Sequence, residues 1–402
     1  MQELEKAKEY LNTLCSVKPN RRTGSQGNRK ATDFFASLVK KWNYTVDTTP
    51  FPCLDYESGK ISLVCQGLAY DLHVSQFSPG CNVTSKLVTV STVEELENCR
   101  CRGKILLMHG VICAEQLMPK NFVFYNSDHH KRIYALLEEK QPVAIITVTE
   151  KRPELVGAIY PFPLIEDGDF DIPSVFCSDV VGREILAKTG EVFQLSIEAR
   201  RIPATACNVI ARKNQAAPQK IVVSAHIDAY WSTPGALDNA SGTVVLLLLA
   251  EMLQDYKGNL GIEIVAFNGE DYYSVGGQMD YLRRYEQDFT RMAAAINVDD
   301  VGYKHGKTAY SLYECPDEIK QKAHNIFSSY DGIMAGEPWY QGDHMLFVQN
   351  KKPAIAFTAE KVAELMATVT HSPKDTPDII DCGKLVELAH ALHDLVKSFE
   401  SQ

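Results

Sequence analysis

Beyond residue 205 the chain repeats one texture: a short, wholly apolar run followed by a longer amphipathic stretch. I-V-V-S at 221–224, leading into Ala225-His226, predicts a buried strand, with a helix expected from about 241 to 255. I-E-I-V-A-F at 262–267 predicts the next strand, with a helix from about 274 to 285, and A-A-A-I-N-V at 293–298 a third. P-A-I-A-F-T at 353–358 is another strand, and Lys384 to Phe399 a closing helix. Continuous apolar strands separated by helices indicate a mainly parallel sheet covered on both faces.

The earlier part reads differently. Residues 1 to about 50 predict a helix, the loop R-R-T-G-S-Q-G-N (21–28) and a second helix with the periodicity A-T-D-F-F-A-S-L-V-K-K-W. From about 55 to 205 short β-like runs dominate: K-I-S-L-V, K-L-V-T-V, K-I-L-L-M, then a helix from Lys131 to Lys140, V-A-I-I-T-V, I-P-S-V-F and E-V-F-Q-L-S-I. The expected organisation is an α/β domain of residues 1–54 and 206–402, interrupted by an inserted β-rich α/β domain at 55–205.

Composition narrows the function classes. The 402 residues are 45% hydrophobic, enough for a sizeable core. A net charge of −10, with acids and bases dispersed, argues against nucleic acid or an anionic membrane as partner. The longest apolar run, Val244 to Ala250, is too short to span a bilayer and reads as a core helix, so no transmembrane segment is expected. The charged amino terminus has no apolar signal core, and the odd count of 11 cysteines favours free thiols. A cytoplasmic location is the expectation from both. Cys99 and Cys101 have no second pair at zinc-site spacing, and His129-His130 read as surface.

The candidate chemistry lies where the predicted strands end. His226 closes the first and Asp228 follows it; Glu270 and Asp271 come after the second; Asp299 and Asp300 come after the third. Parallel α/β sheets bind ligands at the carboxyl ends of their strands. Asp238 sits in the turn G-A-L-D-N-A-S-G, and His371 in the late loop T-H-S-P-K-D-T-P-D. Imidazole nitrogens and carboxylate oxygens converging on one edge suit a hydrolytic metal site. Singly, each has a plainer reading: a strand-end histidine, a helix-capping aspartate, a solvated acid pair, a loop histidine.

The ordered set of motifs resembles the co-catalytic zinc aminopeptidase family, which also contains the glutamate carboxypeptidases. It comprises H-x-D at 226–228, G-A-x-D-N-x-S-G at 235–242, the acidic pair 270–271 with glycines 276–277, I-N-x-D at 296–299, D-H-x-x-F at 343–347 and H-x-x-x-D-T-x-D at 371–378, with R-x-G-S-x-G from Arg22 to Gly27. The resemblance implies a zinc-exopeptidase fold, a phosphorylase/hydrolase-like mixed sheet sandwiched by helices, and two zinc ions per chain. It implies one zinc on His226 and Asp299, the other on Asp271 and His371, and Asp238 bridging them. Glu270 would be the general base, Asp228 would orient His226, and Asp375 would support the His371 loop. G-K-I-L-L-M, P-V-A-I-I-T-V and D-I-P-S-V-F-C-S are similar to a protease-associated domain, which in relatives caps the active site. The expected substrate is a peptide or amino-acyl compound, cleaved as an aminopeptidase does, with carboxypeptidase and glutaminyl cyclase as alternatives and a non-enzymatic receptor a remoter one. Two departures stand out: Asp271 occupies a position more often glutamate, and Tyr340 is the nearest candidate for a transition-state tyrosine, beside Asp343 and His344.

Overall fold

A computed structural model describes residues 1–124, 126–151 and 159–400. Its contacts form two units, one of Met1–Cys53 together with the chain from Ala204 onward, the other lying within Leu54 to Pro203.

The first unit is built on one eight-stranded sheet. Its strands are β1 (Thr45–Asp47), β2 (Val209–Lys213), β3 (Lys220–His226), β4 (Gly261–Phe267), β5 (Met292–Val298), β6 (Thr308–Tyr313), β7 (Ile333–Ala335) and β8 (Ala354–Ala359). They lie in the order β1-β2-β4-β3-β5-β8-β6-β7. The central strands β4, β3, β5 and β8 run parallel, with antiparallel pairing toward both edges. This is a mixed α/β fold of mainly parallel centre, and β3 to β5 are the strands the apolar runs predict.

Strand parity decides which side chains meet. Ile221, Val223, Ala225, Ile264, Ala266, Ile296 and Val298 all face one side, in a single core with helices Gln2–Cys15, Ser241–Met252 and Cys382–Ser398. Alternate residues face the other side. There Phe267, Tyr281, Phe289 and Phe347 form a chain of ring contacts, with helix Gly276–Tyr285 supplying Tyr281. Ser224 pairs with Asn297 across β3 and β5 and hydrogen-bonds its side chain at 3.0 Å. Two residues further along each strand, on that same side, come His226 and Asp299.

Helix Ser241–Met252 is apolar all round: every residue from Val244 to Ala250 is buried. Among the described residues no helix is long and apolar enough to cross a membrane.

The second unit has its own eight-stranded sheet, with Cys81–Val90, Ile105–Met108, Ala144–Thr149 and Ser174–Ser178 parallel and adjacent. Helix Asp128–Lys140 starts at Ser127, whose hydroxyl accepts from the His130 N–H at 3.2 Å. His130 is therefore not a surface residue. It lies on the inward face of the first turn, where Nδ1 accepts from the Met118 N–H at 3.1 Å and Nε2 meets Glu115 at 3.0 Å. No disulfide joins the described cysteines.

Leu247→Ala removes a fully buried side chain from the helix between β3 and the terminal helices. The expected loss of stability is about 2–5 kcal/mol, read from the midpoint of chemical denaturation at unchanged slope.

Candidate metal centre

The centre is assembled at the carboxyl ends of β3, β4 and β5. Past His226 the chain turns through Asp228 and loops to Gly235, and Arg21 fastens both ends of that loop. Its guanidinium donates to the carbonyls of Ile227 (3.1 Å), Pro234 (2.7 Å), Gly235 (2.8 Å) and Leu14 (3.1 Å). Gly235 adopts φ 62°, and a Cβ there would lie 2.6 Å from Ala229 Cβ, so only glycine fits the turn.

Asp238 is then fixed by Asp375. The Asp375 carboxylate accepts from the Leu237 N–H at 2.6 Å and from the Asp238 N–H at 3.1 Å. Asn239 donates to the Val298 carbonyl at 2.9 Å. The helix that follows begins at Ser241 with no side-chain cap, so Asp238 is not a capping residue. Its two oxygens diverge: Oδ1 is 3.0 Å from His226 Nε2, and Oδ2 is 3.1 Å from His371 Nε2.

Each half is completed from a different strand. Asp299 Oδ1 lies 3.3 Å from His226 Nε2, and Asp271 Oδ1 lies 2.7 Å from His371 Nε2. The protein thus has two three-residue clusters, His226–Asp238–Asp299 and Asp238–Asp271–His371, each with one donor atom per residue within 4.8 Å of the others, sharing Asp238.

Asp228 lies behind the centre, wholly buried. It is 3.6 Å from His226 Nδ1, an ion-pair distance, and accepts from the N–H groups of Gly269 (2.9 Å) and Glu270 (3.3 Å) and from the Thr23 hydroxyl (3.1 Å). One carboxylate thereby ties the β3 exit to the β4 exit. Asn268 completes the turn through Asn28 (2.8 Å), the Cys207 carbonyl (3.1 Å) and Asn208 (2.9 Å). Glu270 stands at the rim, its side chain 23% exposed and Oε2 4.0 Å from His226 Nε2. The acid pair 270–271 is no helix start, because the helix opens only at Gly276.

The electrostatics call for cations. Burial raises the carboxyls of Glu270, Asp271 and Asp299 above their ordinary range, and their mutual repulsion, with Asp238 adding to the last two, raises them further. At Asp238 burial works the same way, but His226 and His371 outweigh it and hold the group low. Burial disfavours charge on both imidazoles, yet Asp299 at His226 and Asp271 at His371 push them well above the usual imidazole range. Meanwhile both ring nitrogens of His226, Oδ2 of Asp271 and Oδ1 of Asp299 are buried without a hydrogen bond. Two imidazoles and surplus oxygens with unsatisfied lone pairs fit zinc, and the shared carboxylate fits two ions.

Beside the centre, Asp343 accepts from Gln278 Nε2 at 2.6 Å and burial pushes its carboxyl up to about 7. His344 is fully buried, with its ring 4.7 Å from those of Tyr313 and Trp339 and Nε2 2.9 Å from the Trp339 carbonyl. It braces the loop before it, because the apolar pattern of D-H-x-x-F turns its ring inward. Tyr340 is 69% exposed, its ring edge-on to Tyr313. Sequence reasoning missed Arg21, Asn268 and Tyr230, whose ring lies flat on His371; buried residues in otherwise polar loops were the only signal.

Residues 208–396 match the profile of Peptidase family M28. That stretch, somewhat under half of the chain, is similar to the family. Aminopeptidase YwaD of Bacillus subtilis is 35% identical over 103 residues, 25% of this chain and 22% of that protein, so the chain aligns with about a fifth of its length. Over 98% of the chain the fold is similar to an aminopeptidase of Aneurinibacillus sp. strain AM-1 (TM-score 0.76, 21% identity, 93% of that chain). Over 99% it is similar to BSAP, a zinc aminopeptidase from Bacillus subtilis (TM-score 0.76, 20% identity, 95% of that chain). The matched stretch contains every residue of both clusters.

Zinc and protons compete for these groups. An imidazole must lose its proton to bind metal, so zinc affinity climbs with pH. Without metal, the raised imidazoles contribute stability that is lost as pH rises through their folded pKa, and the raised carboxyls destabilise the fold once pH exceeds their unfolded values. Both trends weaken the metal-free protein where zinc would bind best. The gain in Tm on adding zinc to chelator-treated protein should therefore be larger at about pH 8 than at about pH 6. A larger gain at the lower pH contradicts this electrostatic account.

Proposed function

We propose that the protein is an aminopeptidase working with two zinc ions. The observation that carries this is the divergent pair of Asp238 oxygens, one beside each histidine. His226 and Asp299 would hold one ion and Asp271 and His371 the other, with Asp238 offering an oxygen to each. Such a pair would supply activation of a water and polarisation of the scissile carbonyl.

The chain's own residues supply the proton handling and the positioning. Glu270 is the general base: it sits at the exposed rim, and its raised pKa suits a group that takes a proton from the attacking water and returns it to the leaving amine. Its backbone N–H is fixed by Asp228, so the carboxylate pivots from an anchored turn. Asp228 meanwhile faces the far nitrogen of His226, the arrangement that orients a metal-binding imidazole.

Charge favours an amino-terminal substrate. Gripping a terminal carboxylate calls for an arginine aimed into the site. Arg283 is held by Asp280, Arg284 by Asp47 and Asp280, and Arg291 by the carbonyls of Gln215 and Ala217. With these three arginines engaged by other protein groups, none of them offers a grip for a terminal carboxylate. The names of the relatives agree with that reading.

Glu270→Gln should lower kcat by about 10²–10⁴-fold while the zinc content stays unchanged. The check is turnover of amino-acyl substrates against N-blocked peptides with free carboxyl termini, alongside metal analysis. Near-normal turnover in the variant rejects Glu270 as base, and preference for N-blocked peptides rejects the aminopeptidase assignment.

A further inference from the structure

The two halves of the centre are not equally well supported. His226 and Asp299 leave adjacent parallel strands, and Asp238 is held by Asp375. His371 comes from a loop after helix Val362–Thr368, with its backbone at φ 60°. A ligand carried on a loop has more freedom to lose on binding metal than one carried on a strand.

One residue compensates. The Tyr230 ring lies against the His371 ring with centroids 4.5 Å apart and planes inclined by 12°, a stacked pair. Ser232, two residues on, donates its hydroxyl to the His371 carbonyl at 3.3 Å. Both belong to the loop that Arg21 fastens at Ile227 and at Pro234-Gly235, and the Thr233 N–H returns to the Tyr230 carbonyl at 3.3 Å. His371 is thus held, ring and backbone, by the rigid loop that leaves His226. A flat aromatic face would also suit an imidazole made electron-poor by a metal held at its Nε2.

We propose that Tyr230 is a positioning residue for the second metal, setting the affinity of the Asp238–Asp271–His371 half while leaving the His226–Asp238–Asp299 half unchanged. Tyr230 touches no reacting atom in this role. It fixes the imidazole plane, and the short Asp271 then closes on a nitrogen already in place, 2.7 Å away. The inference rests on the two-zinc reading.

The test is zinc bound per chain across a series of buffered free-zinc concentrations, for the full-length protein and its variants. Wild type should take up two zinc ions. Tyr230→Leu, which keeps buried apolar bulk but loses the flat ring, should hold the first with unchanged affinity and bind the second about 10–100-fold more weakly. Tyr230→Phe should behave as wild type, and Ser232→Ala should weaken the same site by a smaller factor. Thermal scans of the metal-free proteins separate misfolding from metal loss: if Tyr230→Leu melts early, the Phe and Ser232 variants carry the comparison. Equal weakening of both sites, or wild-type binding by Tyr230→Leu, overturns the role of Tyr230. A wild type that saturates at one zinc overturns the two-zinc reading itself, a distinct outcome.

Discussion

Too many carboxylates share one buried space for the fold to keep them all ionised unaided. Asp228, Asp238, Asp299, Asp300, Asp343 and Asp375 are buried around the same strand ends, with Glu270 and Asp271 beside them and His226 and His371 as the imidazoles that face them. An isolated buried carboxylate costs several kcal/mol, and like charges at contact distance compound the cost. Protons relieve part of it, which is why Glu270, Asp271, Asp299 and Asp300 are all raised by burial and by one another. Divalent cations relieve it without neutralising the ligands. A demand for counter-charge, met by protons or by cations, is therefore built into the charge distribution before any catalytic argument is made.

The sheet makes such crowding possible. In a parallel pair the strand ends coincide, so β3, β4 and β5 release their next residues at one level. The Ser224–Asn297 register then sets which face those residues take. A shift of one residue in β5 would carry Asp299 toward the helical core occupied by Ile296 and Val298, and the first half of the centre would be lost. The apolar alternation of the strands thus specifies ligand geometry as well as packing.

This explains what the sequence disclosed. His226, the acid pair 270–271 and Asp299 were readable because strand periodicity places them: the apolar runs locate the strands, and each side chain in question is the first polar one beyond. The helix through Val244–Ala250 was readable for a similar reason, as a run with no polar face. Asp238 and His371 stood out as candidate ligands in their turns, but their pairing depended on the family resemblance, because nothing in local periodicity says that two loops far apart in the chain will meet. His130 misled because its helix starts before the apolar pattern does. Adjacent histidines in a polar stretch look solvated, yet the Ser127 cap rotates the second one inward. Asp228, Asp375 and Arg21 act on backbone N–H and carbonyl groups, which carry no residue signature, so their partners could be seen only in three dimensions.

Arg21 shows why the charge problem is left for metal to solve. A buried guanidinium beside this many acids would ordinarily pair with one of them, and a bidentate arginine is a strong carboxylate partner. Here its donors go instead to the carbonyls of Leu14, Ile227, Pro234 and Gly235. Its charge is near enough to offset part of the burial that raises Asp375 to about 7, but it occupies none of the carboxylate oxygens that face the two histidines. Had it reached Asp238, the shared ligand would be satisfied by protein and its two oxygens could not diverge. The fold thus uses this buried cation to hold the loop and leaves the carboxylate between the two histidines without a guanidinium partner.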